Sequence, residues 1–372
     1  MIGKIVINAL QYKRNSSGIG VLIRELFGVY ATISPRTCQV ILPNDSPPFP
    51  VRHPEDQIRI PFGHRQGIRR IWFQSIQMGG QYCKDALLLT TDSKVPLLLP
   101  RSCVLVPMIT DLAVFRMPQV YQLSRVILWK LQYHIVCKKA RFFLTISEFS
   151  RREMVELLHI PAEKIRVIPC AYSPMLTPME RGEAQEKLCR YNLPERFVLF
   201  VGNSNPRKNL ERLIEAFDMA KEMAKLDQHL VIAGDQGWKF DRAKALQSVK
   251  HKNDVHFIGF VPDEDMAALY SMADLFVFPT LYEGFGIPVL EAQACGTPVL
   301  ASSCSSLPEV GSDAAIYANP YDCNDIAEKI VKVLEDQHLA KVMIQKGFAN
   351  IRRYSWQRSA ELLSETIEEI IR

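Results

Sequence analysis

An α/β protein built from two doubly wound domains is what the sequence predicts, and three observations carry that prediction. Short apolar segments alternate with helical patterns from one end of the chain to the other. Many of those segments, such as FVLFVG at 197–202, are continuously apolar, which suits parallel strands covered on both faces. At 372 residues the chain also exceeds the usual size of one hydrophobic core.

In chain order, KIVINAL reads as the first strand and GIGVLIRELFGVYA as the helix behind it. Strands follow at CQVILP, ALLLTT, CVLVPMIT, RFFLTIS and KIRVIP, with helical patterns at QVYQLSRVILWKLQYHIVCKKA and SRREMVELL. The second half gives strand cores FVLFVG, LVIAG, VHFIG, LFVFPT, PVLAS and AAIYA. Between its first two strands, NLERLIEAFDMAKEMA sets Leu210, Leu213, Ile214 and Phe217 on one helical face. The polar stretch MLTPMERGEAQEKLCRYNLPER separates the halves. The expected organisation is a first Rossmann-like domain at 1–173, a linker at 174–195 and a second at 196–355. A C-terminal helix at 356–372 would pack back on the first domain. Two such domains put a ligand at the carboxyl ends of their strands, in the cleft between them.

Charge is unevenly divided. Residues 1–185 hold 24 Lys/Arg against 13 Asp/Glu, a surplus of +11, whereas the remainder holds 21 against 27, or −6. A basic first half suits an anionic partner. The nine cysteines are scattered without a Cys-x-x-Cys pair, which argues against a disulfide framework or zinc site and fits a reducing cytoplasm. No signal peptide or membrane-length apolar run is read, so any membrane contact would be peripheral.

Four loops gather the chemistry. In NSSGIGV, Gly18 and Gly20 let the backbone approach a ligand at a helix N-terminus, although a plain tight turn looks the same. In VGNSNPRKN, Asn209 is expected to cap a helix, leaving Arg207 and Lys208 beside its positive end; a bound diphosphate would offset that repulsion. LYEGFGIPVLEAQACG carries Glu283 and Glu291 around a turn, with Pro288 and Gly296 bracketing a short helix. Amides near Gly286 and Ile287 face an anion there, and Glu291, one turn in, suits a ribose diol because a carboxylate only accepts hydrogen bonds. Glu283 suits a sugar hydroxyl on the other side. The fourth loop places Asp111 after the strand CVLVPMIT, where it is equally a cap.

Together these loops resemble the retaining GT-B glycosyltransferases of family 4, in particular bacterial mannosyltransferases of surface-polysaccharide and O-antigen type. The likeness rests on the E-x7-E pair Glu283/Glu291, the turn Pro206-Arg207-Lys208-Asn209, the loop Gly18-Ile19-Gly20, and stretches such as TISEFSRREM, IAGDQGW and SSLPEV. It implies two Rossmann-like domains and a nucleotide-sugar donor held mainly by the second. Lys208 and Arg207 would hold the diphosphate, with Gly18, Gly20, Phe285, Gly286 and Ile287 completing the cradle. Glu291 would bind the ribose and Glu283 the transferred hexose, with GDP-mannose the first choice of donor. Val261 and Asp263 fall where relatives contact the nucleotide, and Asp111 takes the acceptor-side catalytic position. Thr110 and Asn203 depart from the family's frequent histidine and arginine.

The resemblance implies transfer with retention, Glu283 positioning the sugar, and no metal or other cofactor. Asp263 in the acidic run DED reads first as a helix cap. HRQGIRRIWFQ and SRVILWKLQYHIVCKKAR mix basic, aromatic and aliphatic residues; with the charge division they point to an anionic membrane and a lipid-linked saccharide acceptor. No nucleic-acid-binding module accompanies the charge. The expected place is the cytoplasm, at the inner face of the membrane. Rival readings are a glycogen-synthase or sucrose-type transferase with a soluble acceptor, and an inactive subunit that binds nucleotide sugars.

Overall fold

The computed structural model describes residues 2–13, 18–64, 66–91, 95–235, 237 and 240–372. Residues 15–17 of the glycine loop, and Gln236 and Trp238 of IAGDQGW, lie outside them. The chain forms two units, residues 1–170 with 355–372, and residues 171–354.

The first unit is built on a parallel sheet of seven strands: β1 (Lys4–Asn8), β2 (Cys38–Pro43), β3 (Gln57–Ile60), β4 (Ala86–Thr91), β5 (Val104–Ile109), β6 (Phe143–Thr145) and β7 (Ile165–Val167). Their order is β3-β2-β1-β4-β5-β6-β7. β1 and β4 are buried almost end to end, which is why they read as unbroken apolar runs. β3, the short QIRI segment at the sheet edge, was not among the strands expected. Helix α1 spans residues 19–33, α2 residues 67–82, α3 Leu123–Lys139 and α4 Glu148–Leu158. Ser147 caps α4 by accepting from the Ser150 N–H.

Six parallel strands make the second unit's sheet: β8 (Phe197–Val201), β9 (His229–Ala233), β10 (Val255–Gly259), β11 (Leu275–Phe278), β12 (Val299–Ser302) and β13 (Ala315–Ala318), in the order β10-β9-β8-β11-β12-β13. Helices α5 (Leu210–Met223), α6 (Asp263–Met272), α7 (Ile287–Ala294), α8 (Cys323–Glu335) and α9 (Gln337–Ile351) accompany it. Leu210, Leu213, Ile214 and Phe217 of α5 are all buried. Residues 174–195, expected as a linker, instead hold the helix Arg181–Lys187 and belong to this unit.

The last helix, α10 (Trp356–Ile371), is part of the first unit although it ends the chain. Its apolar face, including Ala360, Leu363 and Ile367, is fully buried. Arg36 holds it further through a two-pronged pair with Glu368 at 2.7 and 2.9 Å. Leu363→Ala is therefore expected to destabilise the first unit by about 2–5 kcal/mol. Denaturant unfolding should show the first unit's transition moving while the second unit's stays in place.

Candidate active site

In the second unit, β8 and β11 lie side by side while the strand order runs outward from them in both directions. Such a switch point opens a crevice at the carboxyl ends of the strands, where backbone groups are not covered by a crossing connection. Two loops meet there, residues 202–209 after β8 and 279–286 after β11. The Leu281 N–H donates to the Arg207 carbonyl at 2.8 Å. Asn209 ties the loops again, donating to Pro279 O at 2.9 Å, and also reaches Pro320 O after β13 at 2.6 Å. Asn209 takes the expected N-cap position of α5, in the left-handed region at φ 63°, but without a side-chain cap.

Between these loops Lys208 Nζ donates to Glu283 Oε1 at 2.8 Å, with side chains 13% and 11% exposed. The ammonium also lies 4.6 Å from the centre of the Phe278 ring. Burial would raise the Glu283 pKa, but the charges of Lys208 and then Arg207 hold the carboxyl below its ordinary value. Glu283 therefore already offsets part of the positive charge that was expected to await a diphosphate. Arg207 and Lys208 themselves lie in a single tight turn, Pro206–Lys208.

Helix α7 starts from Gly286, whose φ of +110° a side chain rarely adopts; an added Cβ would sit 2.4 Å from Leu307 Cδ2. Ile287 is the first residue of α7 and Pro288 the second, and Gly296 follows the helix end at φ +75°. Glu291 of α7 is half-buried and is met by α6: the Tyr270 hydroxyl donates to Glu291 Oε2 at 2.8 Å. Burial first, with a smaller contribution from the Asp263 charge, pushes the Glu291 pKa up to about 7, against the opposing Tyr270 bond. Asp263 is the first residue of α6, and the cap position belongs to Pro262, so the expected cap is corrected. Asp265, further along the acidic run, is buried and paired with Arg190 and Tyr191. Val261 is buried just ahead of α6, and the buried Phe285 ring packs edge-on to Tyr354 at 5.8 Å. The structure thus gathers Arg207, Lys208, Glu283, Gly286, Ile287 and Glu291 with Asp263 in one unit.

Gly18, Gly20 and Asp111 belong to the first unit. Gly18 starts α1 at φ +58°, and its carbonyl accepts the Leu22 N–H at 3.1 Å. Gly20 is buried inside that helix. Asp111 follows β5 and accepts from the Ala113 N–H at 3.0 Å, so its side chain does local turn-forming work. Sequence reading missed the polar strand ends around it. Asn8, closing β1, donates to Thr90 Oγ1 of β4 at 3.2 Å, both residues being buried. Asparagine and threonine closing otherwise apolar strands were the available signal.

The same unit displays a large apolar surface. Ile68, Ile71, Trp72 and Ile76 of α2 are exposed, as are Leu123, Ile127, Leu128 and Leu131 of α3. Residues 96–98 connect them, since the Leu97 N–H donates to Ser75 O and Lys139 reaches the Pro96 and Leu97 carbonyls. Among the described residues no helix is long and apolar enough to cross a membrane. No group of three His, Cys, Asp or Glu residues there could hold a metal ion.

The family described as glycosyl transferases group 1 matches residues 185–349. O-antigen chain mannosyltransferase B of Escherichia coli is 33% identical over 249 residues, 66% of this chain and 65% of that protein. Serotype-specific mannosyltransferase WbdA of Escherichia coli is 31% identical over 240 residues, 63% of this chain and 29% of that one. The matched stretch spans less than two thirds of either relative. Sucrose-phosphate synthase from Thermosynechococcus elongatus superposes with a TM-score of 0.77 at 19% identity, covering 99% of both chains. WaaG, a glycosyltransferase involved in lipopolysaccharide biosynthesis, gives 0.74 at 17%, covering 98% of this chain and 99% of its own. The fold is that of these GT-B neighbours, two Rossmann-like units with parallel sheets.

The raised Glu291 pKa has a stability consequence of defined sign. Below about pH 4.5 the carboxyl is neutral in both folded and unfolded chains; between there and about pH 7 the unfolded chain ionises first, and stability falls. Glu291→Gln should match the parent protein near pH 4.5 and exceed it above pH 7 by on the order of 2 kcal/mol. Urea unfolding across that range measures the difference.

Proposed function

We propose that this chain, whose residues 185–349 match the glycosyl transferases group 1 family, transfers mannose from a nucleotide sugar to a saccharide acceptor in O-antigen or related surface-polysaccharide assembly. GDP-mannose is the donor we favour. The homologous O-antigen mannosyltransferases support the sugar and the setting. One observation carries the site: the buried Lys208–Glu283 pair at the β8/β11 switch point.

In this reading Lys208 and Arg207 meet the donor's diphosphate, helped by the backbone at Gly286 and Ile287. Cleaving a sugar–phosphate bond builds negative charge on the phosphate, so cations and helix-end amides stabilise the transition state more than the ground state. Lys208 has three N–H donors, enough to hold Glu283 and a phosphate oxygen together. Glu283 positions the hexose and faces its developing positive charge. Glu291 accepts from the ribose hydroxyls, Asp263 and Val261 flank the nucleotide, and Gly18 and Gly20 are assigned to the donor by the family likeness alone. Asp111 serves the acceptor. We take the transfer to retain configuration, with a phosphate oxygen receiving the acceptor's proton, and to need no metal.

The acceptor we infer is lipid-linked. The exposed isoleucines, leucines and Trp72 of α2 and α3 are interspersed with exposed Arg69, Arg125, Lys130 and Lys138. Apolar side chains flanked by cations suit the headgroup boundary of an anionic bilayer. This would hold the protein on the cytoplasmic face of the inner membrane.

A panel of GDP, UDP, TDP and ADP in a thermal-shift assay tests the donor. The cognate diphosphate at 100 times its Kd should add about 2.7 kcal/mol of stability, and no response to any of the four would sink the reading. With the donor in hand, Lys208→Ala should lower kcat/KM roughly 10–150-fold, and unchanged kinetics would remove Lys208 from the site. Binding to liposomes rich in anionic lipid should be strong at low salt and decline as salt rises. Replacing Ile127 and Leu131 with serine should weaken that binding; absence of binding at low salt would defeat the membrane proposal.

A further inference from the structure

Residues 302–306, Ser-Ser-Cys-Ser-Ser, run from the end of β12 and bond to the loop after β11. Ser302 Oγ donates to Thr280 O at 2.6 Å, and Cys304 Sγ reaches Leu281 O at 3.5 Å. Ser305 Oγ accepts from the Glu283 N–H at 3.2 Å. Ser306 Oγ lies 2.9 Å from Glu283 O and 2.6 Å from Phe285 O, with one proton to donate between them. The segment follows β12 directly and is anchored to β13 by the Ser303 N–H donating to Ala318 O at 2.8 Å. A rigid sheet edge thus holds the loop that carries Glu283.

We propose that Ser305 and Ser306 are positioning residues for Glu283, gripping the N–H and C=O of that residue so that its carboxylate stays on Lys208. Two features distinguish this from ordinary loop packing. Ser306 is completely buried, so its hydroxyl has no water to exchange for its two carbonyl partners. Ser305 sits at φ +59°, a left-handed conformation in which glycine is unstrained and a side chain is not. The hydroxyl held there accepts from the Glu283 N–H. The proposal deepens the transferase reading and rests on it for the role of Glu283.

Ser305→Gly provides the test, because glycine accepts the backbone conformation and removes only the hydroxyl. It should fold normally and lower kcat about 10-fold or more, since small misplacements of a reacting group are costly. Affinity for the nucleoside diphosphate should fall less than the rate, because Ser305 and Ser306 bond to the Glu283 backbone itself, whereas Arg207 and Lys208 meet the diphosphate from the loop after β8. Ser305→Asn, which tolerates the left-handed region and restores an acceptor, should recover much of the lost rate. NMR titration of isotope-labelled glutamate should show the Glu283 carboxyl of Ser305→Gly ionising at higher pH than in the parent, its Lys208 partner now loosely met. An unchanged rate with an unchanged titration overturns the proposal, as does parallel loss of rate and nucleotide affinity. If the parent protein performs no transfer, the transferase reading fails and the carboxyl titration alone decides on the serines.

Discussion

Lys208 and Glu283 are the interaction on which the second unit's working end depends. Neither charge is tolerable alone at that depth, because desolvating an isolated ammonium or carboxylate costs several kcal/mol. Their contact also joins the loop after β8 to the loop after β11, two segments separated by 75 positions in the chain. The backbone bond from Leu281 to Arg207 and the Asn209 bond to Pro279 hold the same seam, and Asn209 also ties it to Pro320 after β13. An ammonium carries three N–H donors, so its chemistry allows a carboxylate and a diphosphate oxygen as partners together.

The second acid of the pair has an opposite environment. Glu283 meets cations and is held ionised, whereas Glu291 meets a tyrosine, apolar surroundings and the nearby Asp263, and is pushed towards neutrality. Two carboxylates eight residues apart thus differ in charge state near neutral pH because the fold turns them to different neighbours. A hydroxyl-bearing ligand would meet a permanent anion at one and a titratable acceptor at the other.

The two units also differ in what they offer to the surroundings. Residues 1–170 with 355–372 hold 25 Lys/Arg against 15 Asp/Glu, a surplus of +10 that coincides with the exposed apolar faces of α2 and α3, while the other unit carries −5. Inner faces of both helices are committed to the core through Phe73, Val126, Tyr133 and Val136. The apolar residues outside are therefore additional to what folding needs, which is why they ask for a functional account.

Local pattern determined a great deal. Continuous apolar runs located twelve of the thirteen strands, and 3.6-residue spacing located the buried face of α5, because both depend on near neighbours in the chain. β3 escaped because a four-residue edge strand containing Gln57 and Arg59 has no apolar run to show. The charged and glycine-bearing loops were equally visible as residue types. Their partners were decided only in the folded chain, by contacts between distant segments: Glu283 on Lys208, Tyr270 on Glu291, Asp265 on Arg190, and the Asn209 side chain bridging loops instead of capping its helix. Hydrogen bonds and ion pairs reach only a few ångströms, so which donor meets which acceptor is set by the order of strands in the sheet, and that order is absent from any local window of sequence.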